Sequence, residues 1–199
     1  MGVHSGFGPD TAKRFMIDAG VIYKDITWNS QTNQFEGDIL GATSGGVEIN
    51  IEKKYRKVEV DGAYIMDVVG LNQVESEQAT IKATIVELSA EMLTLAVGGV
   101  KSADIAHEGY EVIEGKYSVA DNDYIENMGI FGYLAGNEKP VIFLFDNLLV
   151  TSALSIKMED KKEAGVEIEG QANATFEQLR TRTSPWRVFY PTGEEVEVG

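Results

Sequence analysis

The chain has 199 residues, no cysteine, and 32 acidic against 17 basic residues, for a formal net charge of -15. That length suits one domain, or one domain with arms; the missing cysteines exclude disulfides and thiolate zinc sites, and the acidity disfavours tight nucleic-acid binding, which needs a basic face. No apolar run approaches the ~20 residues of a membrane-crossing helix, and the polar, glycine-rich start MGVHSGFGPDTAKRF does not read as a signal peptide, so the expectation is a protein used without Sec export.

Residues 1–12 read as a flexible N-terminal arm, 13–192 as the folded domain and 193–199 as an acidic tail. Residues 13–23 look like two short strands around Ala19-Gly20, and 28–37 like a polar loop. Residues 41–46 read as a tight turn. Val47, Ile49 and Ile51 then alternate with Glu48, Asn50 and Glu52, the pattern of a half-buried strand. Lys53, Lys54, Tyr55, Arg56 and Lys57 are expected to form a basic hairpin tip, with Val58 and Val60 as the returning strand and Asp61-Gly62 as a turn. Residues 64–69 are a further apolar stretch, ended by Gly70.

The central stretch is 74–87, with Ala79, Ile81, Ala83 and Ile85 on one face and Gln78, Thr80, Lys82 and Thr84 on the other. That is a two-faced strand spanning roughly 45 Å at about 3.3 Å per residue. It is longer than the usual strand, so it either bends or reaches beyond the core of its own subunit. Ser89 is placed to cap a short helix with Glu91 in its first turn and Met92, Leu93 and Ala96 facing inward, ended by Gly98-Gly99. After a loop at 101–109, strands are expected within 110–117 and 124–134. Residues 141–150 are too apolar for a two-sided strand and read as a central one. Leu154, Ile156 and Met158 alternate before a charged turn at 159–163. Val166, Ile168, Gly170, Ala172 and Ala174 then alternate with Glu167, Glu169, Gln171 and Asn173 as a second long two-faced strand, and 185–191 (PWRVFYP) is a short aromatic segment. Many strands, close turn signals and one short helix predict an all-β sandwich or barrel with a flanking helix.

Chemistry-bearing motifs are sparse. His4 and His107 have no partner at ligand spacing. The glycines of 41–46 lack the Gly-Lys-Ser/Thr of a phosphate loop and precede a strand, and Gly6-Phe7-Gly8 follows no strand. Glu75 with Glu77, and Glu167 with Glu169, lie about 7 Å apart on one strand face, a separation used by glycosidase acid pairs. Alternating Glu is also the ordinary mark of a wet strand face, and no polar or aromatic cluster flanks either pair. No calcium loop is present. The sequon Asn173-Ala174-Thr175 lies within an expected strand. The expectation is therefore no catalytic residue, no metal and no cofactor. The basic cluster 53–57 is the one positive patch of an acidic chain. It reads either as a solvated hairpin tip or as a tip that meets an acidic surface on another copy, and the long two-faced strands beside it suit self-assembly better than chemistry.

Seven pieces, in order along the chain, carry a resemblance: 16–23 (MIDAGVIY), 40–46 (LGATSGG), 58–62 (VEVDG), 87–93 (ELSAEML), 123–127 (DYIEN), 160–164 (DKKEA) and 185–191. Their order and spacing span nearly the whole chain, which resembles the major tail protein, or tail tube protein, of long non-contractile-tailed bacteriophages. The resemblance implies a β-sandwich with a flanking helix, a fold shared with the type VI secretion tube protein. It implies hexameric rings stacked into a tube, with strands of six subunits closing an inner barrel that conducts DNA in non-specific transit. It further implies tape-measure and tail-tip or terminator proteins as partners, no membrane, and a virion location after assembly in the host cytoplasm. On this footing the candidate lumen face is Glu48, Asn50, Glu52, Gln78, Thr80, Thr84, Glu167, Glu169, Gln171 and Asn173, with Lys82 oddly placed in an acidic bore. The candidate inter-ring contacts are Phe7, Lys53, Lys54, Arg56, Lys57, Trp186 and Phe189. Two alternatives stand beside this: a type VI-like secretion tube subunit, and an acidic β-sandwich binding module or small glycoside-acting enzyme. The last would need a concave aromatic face.

Overall fold

The period-two runs of the sequence become strands of two sheets packed face to face. The computed structural model describes residues 8, 11–16, 20–62, 66–102, 107–156, 158, 160 and 164–192. After a 3-10 turn at Ala12–Arg14 come β1 (Val21–Asn29), β2 (Gln34–Ile39), β3 (Thr43–Lys57), β4 (Asn72–Ile85), α1 (Ala90–Ala96), β5 (Gly99–Lys101) and β6 (Ile113–Gly115). A second 3-10 turn at Asp121–Asp123 precedes β7 (Met128–Gly132), β8 (Val141–Phe145), β9 (Leu148–Val150), β10 (Val166–Ala172), α2 (Phe176–Thr181) and β11 (Trp186–Phe189). One sheet has the order β3-β4-β10-β9 and the other β11-β8-β7-β1-β2; β5 and β6 pair apart from both. Every strand pairing is antiparallel, and no closed barrel forms among the described residues.

The core lies between the two sheets. β4 contributes Ala79, Ile81, Ala83 and Ile85, and β10 contributes Val166, Ile168 and Ala172. They meet Ile22 of β1, Met128 and Ile130 of β7, Phe145 of β8 and Leu148 of β9. Each such large apolar side chain removed from water stabilises the fold by about 1.5–3 kcal/mol. α1 closes one side with Met92 and Ala96. The Ser89 hydroxyl accepts the Met92 N–H at 3.1 Å, and Gly98 at φ +56 follows the helix in the left-handed conformation that relieves its last carbonyls.

A second apolar cluster, Ile26, Phe131, Ile142 and Leu144 with Tyr23, Phe35 and Phe189, covers the opposite face of the five-stranded sheet. A bulge makes this possible. The register of β1 against β2 shifts between Lys24 and Thr27, with Asp25 at φ +54, so Ile22 faces the central core and Ile26 the far side.

Several expectations require correction. Residues 28–37 are not a polar loop but the end of β1, a turn and β2. Trp28 pairs with Phe35 across the strands, and Asn29 Oδ1 accepts the N–H groups of Gln31 and Thr32 to close the turn. Of residues 13–23, those described hold the end of a 3-10 turn, an isolated bridge from Met16 to Leu134 and the start of β1, while 17–19 lie outside the described residues. The glycines of 41–46 do not turn between strands. Gly45 and Gly46, at φ +81 and +87, bulge out of a continuous β3 between the pairs Ser44↔Thr84 and Val47↔Ala83. Residues 53–57 are not a hairpin tip. They continue β3, and its partner is β4, not Val58 and Val60. The run 141–150 is two strands in different sheets, separated at Asp146-Asn147, where Asn147 has φ +45. β10 ends at Ala172, so Ala174 and Asn173 lie beyond it. α2 stands where no element was expected. Thr175 Oγ1 accepts the Gln178 N–H while Gln178 Oε1 accepts the Thr175 N–H, a capping box written in the sequence. The expected arm up to Phe7, the tail 193–199, residues 64 and 65, and most of the charged turn 159–163 lie outside the described residues.

Candidate assembly surface

The wet face of the four-stranded sheet gathers nine of the ten candidate lumen residues. Strand register places Glu48 beside Lys82, Asn50 beside Thr80 and Glu52 beside Gln78. From the other side β10 sets Glu167 beside Thr84, Glu169 beside Lys82 and Gln171 beside Thr80. Gln78 Nε2 donates to Gln171 Oε1 at 3.2 Å. Asn173 does not join them. It sits past the strand end, half-buried, and its amide donates to the carbonyls of Gln171 at 2.8 Å and Asn147 at 3.3 Å.

Lys82 stands at the centre of this face. Its Nζ lies 2.6 Å from Glu167 Oε1, and Glu48 and Glu169 flank it in register. The hydrogen bond to Glu167, with the charges of Glu167, Glu169 and Glu48, raises its pKa above the ordinary lysine value. The face thus carries four carboxylates (Glu48, Glu52, Glu167, Glu169) and one ammonium (Lys82), a formal charge of -4 + 1 = -3.

β3 and β4 run on past this face as an arm. β10 reaches only Thr80 of β4, so beyond that point β3 and β4 pair with each other alone. Three of the basic residues have partners, two on the opposite strand and one in the loop that joins it to β3. Lys53 Nζ is 3.1 Å from Glu77, Arg56 Nη2 donates to Gln73 at 3.2 Å, and Lys57 Nζ reaches Asp67 at 2.7 Å. The Lys57 contact, through its hydrogen bond and its charge, holds the Asp67 carboxyl below the usual aspartate value. Lys54 makes no hydrogen bond or ion pair among the described residues. A bulge at Glu75, between the pairs Lys54↔Ser76 and Tyr55↔Val74, adds twist to the arm. Its connecting loop exposes Met66, Val68 and Val69.

The arm is clamped at its root. The Trp186 indole N–H donates to Glu77, and the Lys53 ammonium stands 5.7 Å from the Trp186 ring centre. Burial pushes the Glu77 carboxyl up, but hydrogen bonds from Ser184, Lys53 and Trp186 outweigh it and hold the group below the usual glutamate value. Trp186 begins β11, so this cluster ties the arm of one sheet to the edge of the other. Of the candidate inter-ring residues, Lys53 and Trp186 meet here and Lys54, Arg56 and Lys57 line the arm. Phe189 packs on Phe35 at 4.7 Å in the distant cluster, and Phe7 lies outside the described residues.

β3 is bonded on one side only. It is 15 residues long and ends its sheet, while the three-residue β9 ends the other side. Such a long edge is a template for further strand pairing. Both expected carboxylate pairs have other engagements: Glu77 with Lys53 and Trp186, Glu167 with Lys82. Among the described residues no three His, Asp or Glu side chains gather to hold a metal ion, and no helix is long and apolar enough to cross a membrane.

No protein-family model matches the chain, and no curated protein matches it. Among solved structures, it is similar to a chain of the virion of a native gene transfer agent (GTA) particle, at 14% identity and TM-score 0.38, covering 79% of this chain and 92% of that one. It is also similar to a chain of the tail of an empty GTA particle, computed with helical refinement in C6 symmetry, at 13% identity and TM-score 0.40 with the same coverage.

Proposed function

We propose that this protein is a structural, non-enzymatic subunit of a phage-type tail tube, assembled as hexameric rings that stack around a DNA-conducting bore. The observation that carries this reading is the β3 edge: 15 residues of strand, bonded on one side only, beside an acidic, polar sheet face. The sequence resemblance points the same way. Pairing β3 of one copy with the β9 side of the next is a heterologous contact, which closes into a ring and leaves no free edge. The face of Glu48, Asn50, Glu52, Gln78, Thr80, Lys82, Thr84, Glu167, Glu169 and Gln171 then lines the bore. Six copies place 6 × -3 = -18 formal charges there. DNA meets repulsion instead of counterion-releasing contacts, and so slides. The projecting arm, with Lys54 and the apolar loop, is placed to reach a neighbouring ring, where tape-measure and tail-end proteins complete the virion.

Electron microscopy of the purified chain over a range of protein and salt concentrations tests this. Raised salt screens the acidic repulsion and is expected to favour hollow, six-fold rings or tubes. Compact single particles under every condition, or a tube lined by another face, would overturn the reading.

A further inference from the structure

The cluster on the far face of the five-stranded sheet opens into a groove of about 610 Å³, within the ~300–1,000 Å³ of small-molecule sites. Its floor is apolar, with Phe131 and Ile142 buried. Its walls are aromatic and wet: Trp28 is 51% exposed and Tyr190 59%. Trp28 is braced edge-on by Phe35 at 4.8 Å, which is in turn packed on Phe189 at 4.7 Å, so its ring is held while still open to solvent. On the rim stand Asn33, Gln34, Glu138 and Lys139, whose side chains make no hydrogen bond or ion pair among the described residues.

We infer that this groove is a binding site for a neutral oligosaccharide. A pyranose presents C–H groups on one face, which suit the negative face of an aromatic ring, and hydroxyls around its edge. The latter act as donors and acceptors at once, matching two amides, a carboxylate and an ammonium. Among the described residues of the lining Glu138 and Lys139 cancel, leaving no net charge to attract an ion, and the chain's overall -15 disfavours an acidic glycan. Glycoside cleavage takes two carboxylates; among the described residues of the lining Glu138 is the one carboxylate, so the assignment is to binding alone. The groove faces away from the polar face of β3-β4-β10, so binding there does not depend on ring formation.

Saturation-transfer NMR on the full chain with cellohexaose, maltohexaose and isomaltohexaose at up to about 10 mM is the test, since millimolar affinity is within reach of this method. At least one is expected to receive saturation on its ring protons. Trp28→Ala and Tyr190→Ala, both at exposed positions, should each weaken that binding at least about tenfold. Silence from all three sugars, binding unchanged in both variants, or equal binding of oligogalacturonate would overturn the assignment.

Discussion

Replacing Glu77 by alanine should loosen the root of the arm. The substitution removes the 3.1 Å ion pair with Lys53 and the acceptor of the Trp186 indole N–H. Lys53 is 36% exposed at its side chain and Glu77 18%, so the ion pair counts as a surface one, about 0.2–1 kcal/mol. The half-buried indole N–H left without a partner costs about 1–3 kcal/mol. The sum is about 1.2–4 kcal/mol. At ~2–4 °C per kcal/mol for a domain of this size, the melting temperature should fall by about 2–16 °C. The acid limb gives a second check. The folded Glu77 carboxyl sits below the ordinary 4.5, so its contribution is present in full above that value and is lost as the pH falls through the lowered folded value. Thermal unfolding of unassembled wild type and Glu77→Ala, followed by circular dichroism at pH 7 and near pH 3, reads both effects. Equal melting temperatures at pH 7, or a gap that persists undiminished near pH 3, would refute the clamp.

Three further substitutions test the frame and the arm. In Gly170→Ala the new methyl would lie 2.1 Å from Leu148 Cδ2, a side chain with no exposed surface; the urea midpoint should drop by the equivalent of about 1–3 kcal/mol, and the same substitution made in a Leu148→Ala background should add less than that to the cost of Leu148→Ala alone. Ser89→Ala removes the cap of α1 and should cost about 1 kcal/mol, with amide exchange accelerated at Met92 first. Lys54→Glu with Arg56→Glu alters only exposed side chains of the arm. It should leave stability within about 0.5 kcal/mol while lowering the yield of rings or tubes seen by electron microscopy, and normal tubes would remove the arm's positive charge from assembly.

How legible each element was depended on how local its cause is. β4 and β10 each have one dry and one wet face, so their period-two pattern announces them, and α1 is announced by Ser89. β3 was readable only as far as Glu52. Beyond it, Lys-Lys-Tyr-Arg-Lys shows no alternation, and its extended state is imposed by residues such as Glu77 and Gln73 in a strand some distance along the chain. The 141–150 run hid a change of sheet because both halves are apolar. Asp146 and Asn147 were the signal: Asp146 accepts from Gln178 and Arg187 and so fixes the corner. The Trp28 and Phe35 pair was masked by the polar turn between them. The switch of face within β1 was not readable at all, since the bulge at Asp25 comes from pairing with β2 and from the N–H groups of Asp25 and Ile26 donating to the carbonyls of Glu126 and Asn127, far along the sequence. The candidate lumen residues were legible as wet strand faces. Their union into one surface, and the separation of Asn173 from it, needed the register.

Lys82 was the residue that fitted the expected acidic bore least, and the register explains it. β4 is the middle strand of this face, with Glu48 on one side of Lys82 and Glu169 on the other. Like charges directly opposite each other destabilise strand pairing, so an acidic residue at 82 would set three carboxylates in one row, with Glu167 beside them. A lysine there relieves repulsion within the subunit while leaving the face net negative toward anything that passes over it. Lys82→Glu should therefore lower the urea midpoint of the isolated chain, and added salt should restore much of the loss, because the groups involved are exposed to the solution. A midpoint unchanged at low salt would mean that the row is too well solvated to feel its own charge. The case for Lys82 as a device of sheet pairing would then fall.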